Sequence, residues 1–222
     1  KFEYLNTKAG EIAKKAKELN PHVLVAGGLP PQYLTYEEDT RSNEEIKKNF
    51  YEQAKLLNPY IDFFYFDVLS SVKEFKLAIE AIESFNKPYL LGAHISEGVK
   101  LPSGEKISQI LSSIKHKKLL GLILSCVSPE NYALNLDEIK NLGIPFGFKL
   151  NGFKTTKPNK GYTNNYNKSK TGNPNEFLGQ REDLTPKKLC MIIKKFKDSG
   201  ATILGGCCET RPSHIKEMSK LI

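Results

Sequence analysis

The sequence predicts an α/β fold, a TIM-type (β/α)8 barrel of which six strands can be recognised. Short apolar runs alternate with longer amphipathic stretches along the chain, which is the pattern of βα units around a parallel sheet. Polar and sulfur-bearing side chains follow the ends of these runs, and in a barrel the carboxyl ends of all strands surround one pocket. These side chains belong to Asp67, His94, Cys126, Asn151, Cys207 and Cys208.

Six strands are predicted from apolar runs that are bounded by turn residues. They cover residues 22–26, 61–67, 89–94, 119–126, 144–150 and 201–206. The first run is followed by Gly27-Gly28-Leu29-Pro30-Pro31, which predicts a turn. An eight-stranded barrel needs two further βα units, and we expect these first two units to be missing from this chain and to lie upstream of Lys1.

Seven helices are predicted from the spacing of their apolar residues. They cover residues 5–19, 43–57, 71–85, 105–116, 129–142, 185–199 and 212–222. Two of the helices carry clear start signals. Ser42 or Asn43 can cap the second helix, and Thr185 precedes Pro186 at the start of the sixth.

One long connection interrupts the single barrel domain that we expect over residues 1–222. Residues 152–184 are rich in Lys, Asn, Gly, Thr and Pro, and they are too many for an ordinary connection in a βα unit. A loop of this size is either a functional cover or a disordered insertion. We expect it to lie over the site.

Composition excludes several classes of protein. The formal net charge of +8 comes mostly from lysines spread along helical faces, without the basic stripe and motif of a nucleic-acid-binding protein. No run approaches the roughly 18 apolar residues of a membrane span, and the four cysteines do not form a disulfide framework in so long a chain. We therefore expect a cytoplasmic protein that binds neither nucleic acid nor membrane, and whose cysteines bind metal or act in catalysis.

Three cysteines at strand ends form the strongest candidate site. Cys207 and Cys208 follow Gly205-Gly206 after the last strand, and Cys126 closes the fourth strand. Adjacent cysteines cannot bond to each other without strain, but both can turn toward one soft metal ion. Three thiolates without a fourth protein ligand in evident reach predict a zinc site with an open position, which is typical of catalytic zinc.

The zinc hypothesis also favours a barrel over an open doubly wound sheet. Zinc–sulfur bonds of about 2.3 Å require Cys126 and Cys207 to be neighbours in space, which opposite edges of an open sheet would prevent. Two alternatives remain for the three cysteines. They could be small buried core residues, or a structural zinc site, although that would normally show Cys-x2–4-Cys pairs and four ligands. Cys190, on a helix face with Leu189 and Ile193, is expected in the core.

At these residues the chain resembles the homocysteine S-methyltransferase family of zinc-dependent (β/α)8 barrels. Gly205-Gly206-Cys207-Cys208 with Thr210 and His214 is similar to the family's Gly-Gly-Cys-Cys signature and the helix start that follows it. Ser125-Cys126 resembles the first metal cysteine, which normally follows Asn. Further matches are the strand ends Phe66-Asp67 and Lys149-Leu150-Asn151-Gly152, and the turn Gly27-Gly28-Leu29-Pro30.

The resemblance implies a zinc-dependent S-methyltransferase that makes methionine from homocysteine and a small donor of the betaine or S-methylmethionine type. Free thiols have a pKa near 8.5, so Zn²⁺ would supply the homocysteine thiolate at neutral pH, and no catalytic residue beyond the metal site is expected. The implied zinc ligands are Cys126, Cys207 and Cys208. The implied substrate-binding residues are Asp67, His94, Asn151, Gly27 and Gly28. The resemblance leaves a homo-oligomer open.

Ordinary structural roles stay open for several of these residues. Asp67 and Asn151 could be hydrogen-bonded strand ends, and His94 a satisfied buried histidine. The chain also departs from the family pattern, with Asp67 for Glu and Glu209 for the Gly after the paired cysteines. The second interpretation is therefore a degenerate barrel that binds zinc or a thiol compound without turnover, as part of a larger assembly. A third is a metal-free barrel enzyme of another type.

Overall fold

Six parallel strands form one sheet in the computed structural model of the chain, which describes residues 1–115, 117–155 and 176–222. Strand order in the sheet follows the sequence, and every neighbouring pair is parallel. The strands are β1 (Ala26–Leu29), β2 (Phe63–Leu69), β3 (Tyr89–Ala93), β4 (Leu119–Val127), β5 (Phe146–Leu150) and β6 (Ile203–Gly206).

Helices precede, connect and follow these strands. They are α1 (Phe2–Leu19), α2 (Asn43–Leu57), α3 (Val72–Ile82), α4 (Ile107–Ser112), α5 (Pro129–Lys140), α6 (Pro186–Asp198) and α7 (Pro212–Met218). Hydroxyl groups cap four of them by accepting a backbone N–H in the first turn, which contributes about 1 kcal/mol each. The capping residues are Ser42, Ser71, Ser128 and Thr185. Among the described helices, none combines the length and apolarity needed to cross a bilayer.

The sheet is curved into a half-barrel. A doubly wound sheet reverses its strand order at a switch point, whereas the order here runs from β1 to β6 without reversal. Lys149 of β5 contacts Asp67 of β2, with Nζ 2.5 Å from Oδ2, although β3 and β4 lie between them. Three strand spacings of about 4.8 Å would hold these strands about 14 Å apart in a flat sheet. The predicted α/β fold with a parallel sheet is thus confirmed, in the form of six strands.

The main core lies between the sheet and the helices. On β2, Phe64 and Phe66 are fully buried in this core, whereas Tyr65 and Asp67 alternate with them and face the concave side. This alternation follows from the two-residue period of a strand. It places apolar side chains under the helices and leaves polar ones inside the curve of the sheet.

Most predicted boundaries differ from the structure by a few residues, and two elements differ enough to matter. The first strand covers 26–29 rather than 22–26, so Gly27 and Gly28 lie inside β1 instead of a turn. A Cβ on Gly27 would lie 2.5 Å from Ile61 Cδ1, so this glycine permits a close approach that an apolar-run analysis does not detect. The predicted helix 105–116 is only Ile107–Ser112, because serine hydroxyls after the first turn bond back to the helix backbone and compete with its continuation.

Candidate metal centre

Three thiols meet at the carboxyl end of the sheet. The sulfur of Cys208 lies 3.8 Å from the sulfur of Cys126 and 3.8 Å from that of Cys207. All three sulfurs lie within 4.8 Å of one another. A tetrahedral zinc ion with bonds of about 2.3 Å has sulfur–sulfur edges of about 3.8 Å. Two of the three separations therefore match the edges of one tetrahedron, the third lies within 4.8 Å, and a fourth corner is left for another ligand.

A break in the regular strand aims the sulfur of Cys126. The pairing of β4 with β5 shifts register between Ser125 and Val127, and Cys126 adopts a left-handed φ of 55°. Such a bulge redirects a side chain, and the left-handed conformation costs a residue with a Cβ about 1–2 kcal/mol. Asn151 holds this turn, because its Nδ2 donates to Cys126 O at 2.7 Å and lies 3.7 Å from Cys126 Sγ.

The tandem cysteines occupy a tight turn after β6. Cys207 N donates to Leu150 O at 2.7 Å, which continues the ladder between β5 and β6. The hydroxyl of Thr210 donates to Cys207 O at 2.6 Å, and a Cβ on Gly206 would lie 2.4 Å from that hydroxyl. Glu209 has a φ of 62°, a conformation that favours glycine. The turn therefore favours glycine at the position of Glu209, where the resemblance in sequence also leads us to expect one.

Cys126 is buried and Cys207 and Cys208 are partly buried, and all three thiols hold their protons in the absence of a metal ion. The hydrogen bond with Cys126 and burial raise the pKa of the Cys207 thiol to about 12, although the bond with Cys208 acts in the opposite direction. The pKa values of Cys126 and Cys208 are also raised to about 12. Because a metal ion binds thiolates, its uptake at neutral pH releases these protons.

An apolar collar packs against the thiols. Val68, Phe153 and Leu178 are buried in one cluster with Cys126, and Cys207 and Cys208 pack against it. Such a collar excludes water and strengthens electrostatic interactions inside it. Phe153 also forms an antiparallel bridge with Gln180.

The collar and this bridge bring together the two described ends of the predicted loop 152–184, beside the thiols. Residues 156–175 of that loop lie outside the described residues.

Tyr36, which sequence reasoning missed, contacts both the thiols and His94. Its hydroxyl is 3.0 Å from Cys126 Sγ, and its ring centroid is 4.2 Å from that of His94. Both nitrogens of His94 already have partners, Ser125 O at 3.2 Å and Ser96 Oγ at 2.6 Å. Burial lowers the pKa of His94 to about 4. The structure thus places His94 under Tyr36 as a neutral, hydrogen-bonded ring.

Asp67 lies on the concave side of the sheet and belongs to a polar network. Its Oδ1 accepts a hydrogen bond from Tyr65 at 2.8 Å, and its Oδ2 is 2.5 Å from Lys149 Nζ. Tyr65 also contacts Ser125. Burial lowers the pKa of Lys149, but a Cys207 thiolate and the carboxylate of Asp67 act in the opposite direction and raise it, so Lys149 is a cation. Sequence reasoning missed Lys149 and Tyr65, although alternate positions on β2 and β5 could have indicated that they share the concave face.

Gly27 and Gly28 are not part of the thiol cluster. They lie in β1, at the opposite edge of the described sheet from β6. Gly27 is buried against Ile61, whereas a Cβ on Gly28 would meet nothing within 4 Å. Close packing at the edge of the sheet therefore explains Gly27 but not Gly28, and a contact of either glycine to substrate stays a prediction.

The chain is similar to proteins of known name over most of its length. The family model for homocysteine S-methyltransferase matches residues 1–222. Homocysteine S-methyltransferase 1 of Saccharomyces cerevisiae is 28% identical over 174 residues, which is 74% of this chain and 49% of the yeast protein. Homocysteine S-methyltransferase 1 of Brassica oleracea var. italica is 26% identical over 162 residues, which is 72% of this chain and 45% of the plant protein. The chain spans about half the length of these relatives.

Solved structures of the homocysteine methyltransferase MmuM from Escherichia coli share the fold. The apo form matches with a TM-score of 0.74 at 18% identity, over 99% of this chain and 74% of that chain. The metallated form matches with a TM-score of 0.75 at 19% identity, over 98% of this chain and 70% of that chain. Since the family model matches the sequence from the first residue to the last, this chain belongs to the homocysteine S-methyltransferase family.

Proposed function

We propose that this protein transfers a methyl group from a small donor to the thiolate of homocysteine and thereby forms methionine. The observation that carries the proposal is the cluster of Cys126, Cys207 and Cys208, whose 3.8 Å sulfur separations match the edges of a tetrahedral zinc–thiolate site. The names of the family and of the relatives from yeast and Brassica supply the substrate. A donor of the betaine or S-methylmethionine type fits a site that lies within a single domain.

We infer that the metal is Zn²⁺, held by Cys126, Cys207 and Cys208. Bound there, Zn²⁺ would act as a Lewis acid that replaces the proton of the substrate thiol, so that a thiolate is present at neutral pH. The three cysteine thiolates carry one negative charge more than the ion neutralises. With the ion bound, this excess would keep electron density on a fourth sulfur and preserve its nucleophilicity.

The surrounding residues hold the ligands and exclude water. Asn151 fixes the left-handed turn at Cys126 through the backbone carbonyl, and Tyr36 contacts the sulfur of the same residue. The collar of Val68, Phe153 and Leu178 limits the access of water. Transfer also requires that the donor methyl group is held in line with the attacking sulfur. The donor leaves with the electron pair of its bond to the methyl carbon, and no general base is required.

We also propose that two further βα units close the half-barrel to eight strands. Phe2, Leu5, Ile12 and Leu19 lie on one stripe of α1 and are exposed, at the i, i+3 and i+7 spacings of a helix-packing face. Each outer strand of the described sheet, β1 and β6, has a neighbour on one side only. Two more strands between these edges would pair both of them, and a helix would cover the stripe of α1.

The same chemistry favours a reducing compartment, and we propose the cytoplasm. The three thiols must stay reduced to bind a metal ion, and neighbouring sulfurs are readily oxidised where no reductant is present.

An assay with purified protein tests the proposed function. The protein is supplied with one equivalent of Zn²⁺ and homocysteine, and methionine is measured with betaine, S-methylmethionine or methyltetrahydrofolate as donor. We expect methionine from a sulfonium or betaine donor and none after the metal is removed. One bound zinc without methionine from any donor would contradict the proposal and favour a binding module. Absence of metal after purification without chelators would favour a metal-free enzyme.

A further inference from the structure

An ion pair on the concave face lies below the thiols and has no role in holding the metal. Lys149 and Asp67 are joined at 2.5 Å, and their side chains are 22% and 24% exposed, so a ligand that enters the concave side can reach both. Lys149 Nζ also lies 5.3 Å from the centroid of the Tyr65 ring, and the Tyr65 hydroxyl donates to Asp67 at 2.8 Å. These contacts hold one cation and one anion side by side at fixed positions.

The distance between this pair and the thiols suits a short amino acid. Lys149 pairs in register with Gly205 of β6, and Cys207 follows two residues later, which is about 7 Å along the strand. In homocysteine, four bonds of about 1.5 Å separate the sulfur from the carboxylate carbon, for an extended length of about 5 Å. A sulfur bound near the tandem cysteines therefore brings its carboxylate and ammonium groups to the level of Lys149 and Asp67.

We propose that Lys149 binds the α-carboxylate of the thiol substrate while Asp67 binds its ammonium group, so that the site selects zwitterionic amino-acid thiols. The inference rests on the proposed function and adds Lys149 as the residue that determines specificity. The ligand replaces one ion pair by two, and no net charge is added to the half-buried site. That exchange limits the desolvation penalty that burial of a single charge would bring.

A thiol without a carboxylate cannot make this exchange. Its amine competes with Lys149 for Asp67, and Lys149 gains no new partner in return. The structure therefore favours homocysteine over 3-mercaptopropylamine, which has the same thiol and amine but lacks the carboxylate. Removing the charge of Lys149 abolishes this preference, because Asp67 is then free for the amine of either ligand.

Calorimetric titration of the zinc-loaded protein with these two thiols tests the role of Lys149. We expect Lys149→Met to weaken the binding of homocysteine about 10- to 100-fold, in line with the loss of one charged hydrogen bond. The same variant should bind 3-mercaptopropylamine as well as the parent does, or better, and keep one equivalent of zinc. Lys149→Arg should retain most of the preference. Lys194→Met removes an exposed lysine of α6 and is the matched control, which should change neither affinity.

Each of the remaining outcomes supports or contradicts the role of Lys149. Equal weakening of both thiols by Lys149→Met would assign Lys149 to structure alone and overturn the inference. The double variant Lys149→Met with Asp67→Asn leaves no lone charge. If the single variant does not fold, loss of the preference in the double variant supports the inference, and its retention overturns it. Failure of homocysteine to bind the zinc-loaded parent protein would overturn the proposed function itself.

Discussion

The thiol cluster and the polar network below it reach the same pocket by different structural means. The cluster depends on irregular backbone, since Cys126 has a left-handed φ of 55° and Cys207 follows a tight Gly-Gly strand end. In the polar network, Tyr65 of β2 and Lys149 of β5 keep regular strand pairing and meet because the sheet curves, whereas Asp67 lies where β2 shifts register against β3. Local backbone irregularity thus places the metal ligands, whereas the curvature of the whole sheet brings Lys149 to the strand that carries Asp67.

Loss of one thiol should have the largest effect. Cys207→Ser replaces a thiolate by a neutral hydroxyl in a three-sulfur site, so we expect loss of bound zinc and of all turnover. Metal analysis of the purified variant and the methionine assay measure both. Cys190→Ser is the control, because Cys190 donates to Glu217 O between α6 and α7 and lies outside the cluster. Loss of zinc in Cys190→Ser with retention in Cys207→Ser would refute the ligand assignment.

His94 joins the two regions and should make their stability depend on pH. Its folded pKa of about 4 lies below the ordinary value, so the unfolded chain binds a proton that the folded chain does not. The contribution of His94 to the free energy of unfolding is complete above about pH 6.5. Roughly 3 kcal/mol of it is lost as the pH falls toward 4. Urea unfolding of the metal-free parent and of His94→Asn at several pH values gives the free energy of unfolding of each. The difference between the two proteins should shrink as the pH falls from 6.5 to 4.

The comparison with His94→Asn is needed because the titration of Glu74 changes the free energy of unfolding in the opposite direction. Burial raises the pKa of its carboxyl to about 7, so its contribution to stability falls as the pH rises over a similar range. Glu74 is present in both proteins, and its effect cancels. Parallel curves for the parent and His94→Asn would show that His94 does not titrate as expected.

Gly92 should be the residue on which the polar network depends most. A Cβ there would lie 2.5 Å from Ser125 Oγ, 2.6 Å from Phe66 O and 2.8 Å from Tyr65 Cε2. Gly92→Ala should therefore push β2 and β4 apart and lower the free energy of unfolding by about 1–3 kcal/mol. Gly28→Ala is the matched control, because a Cβ on Gly28 meets nothing within 4 Å. Similar urea midpoints for the two variants would contradict the tight contact at Gly92.

Tyr36 should have the smallest of these effects. Tyr36→Phe removes the hydroxyl that lies 3.0 Å from Cys126 Sγ and keeps the ring on His94. A group that contacts a metal ligand in this way typically contributes 10- to 100-fold to metal affinity, and we expect about 10-fold here. Competition with a chromophoric chelator measures zinc affinity. Tyr33→Phe, at an exposed residue under Arg41, is the control and should leave the zinc affinity unchanged. If both variants lost the same affinity, Tyr36 would have no specific role at the metal site.

The sequence predicts best what is encoded by near neighbours. The helix over 43–57 and the caps at Ser42 and Thr185 agree with the structure, because a capping side chain and its N–H partner lie three residues apart. The nearness of Cys126 to Cys207 also agrees with the structure. It followed from the placement of both at strand ends and from the family motif.

Contacts between distant strands could not be predicted in the same way. Asp67 and Lys149 lie 82 residues apart, and their contact depends on how strongly the sheet curves. Asn151 and His94 were predicted near a pocket, and their observed partners are the carbonyls of Cys126 and Ser125. Backbone carbonyls carry no sequence signal, so hydrogen bonding to them was visible only in the structure.

The left-handed residue at Cys126 also bears on the engineering of this protein. Glycine is the usual remedy for such a backbone conformation, but glycine carries no sulfur and would delete a ligand. The conformational cost of about 1–2 kcal/mol therefore cannot be removed at Cys126 without loss of the metal ligand. Efforts to raise the melting temperature have to act elsewhere in the molecule, for example at Glu209, whose φ of 62° also suits glycine and whose side chain is not among the three thiols.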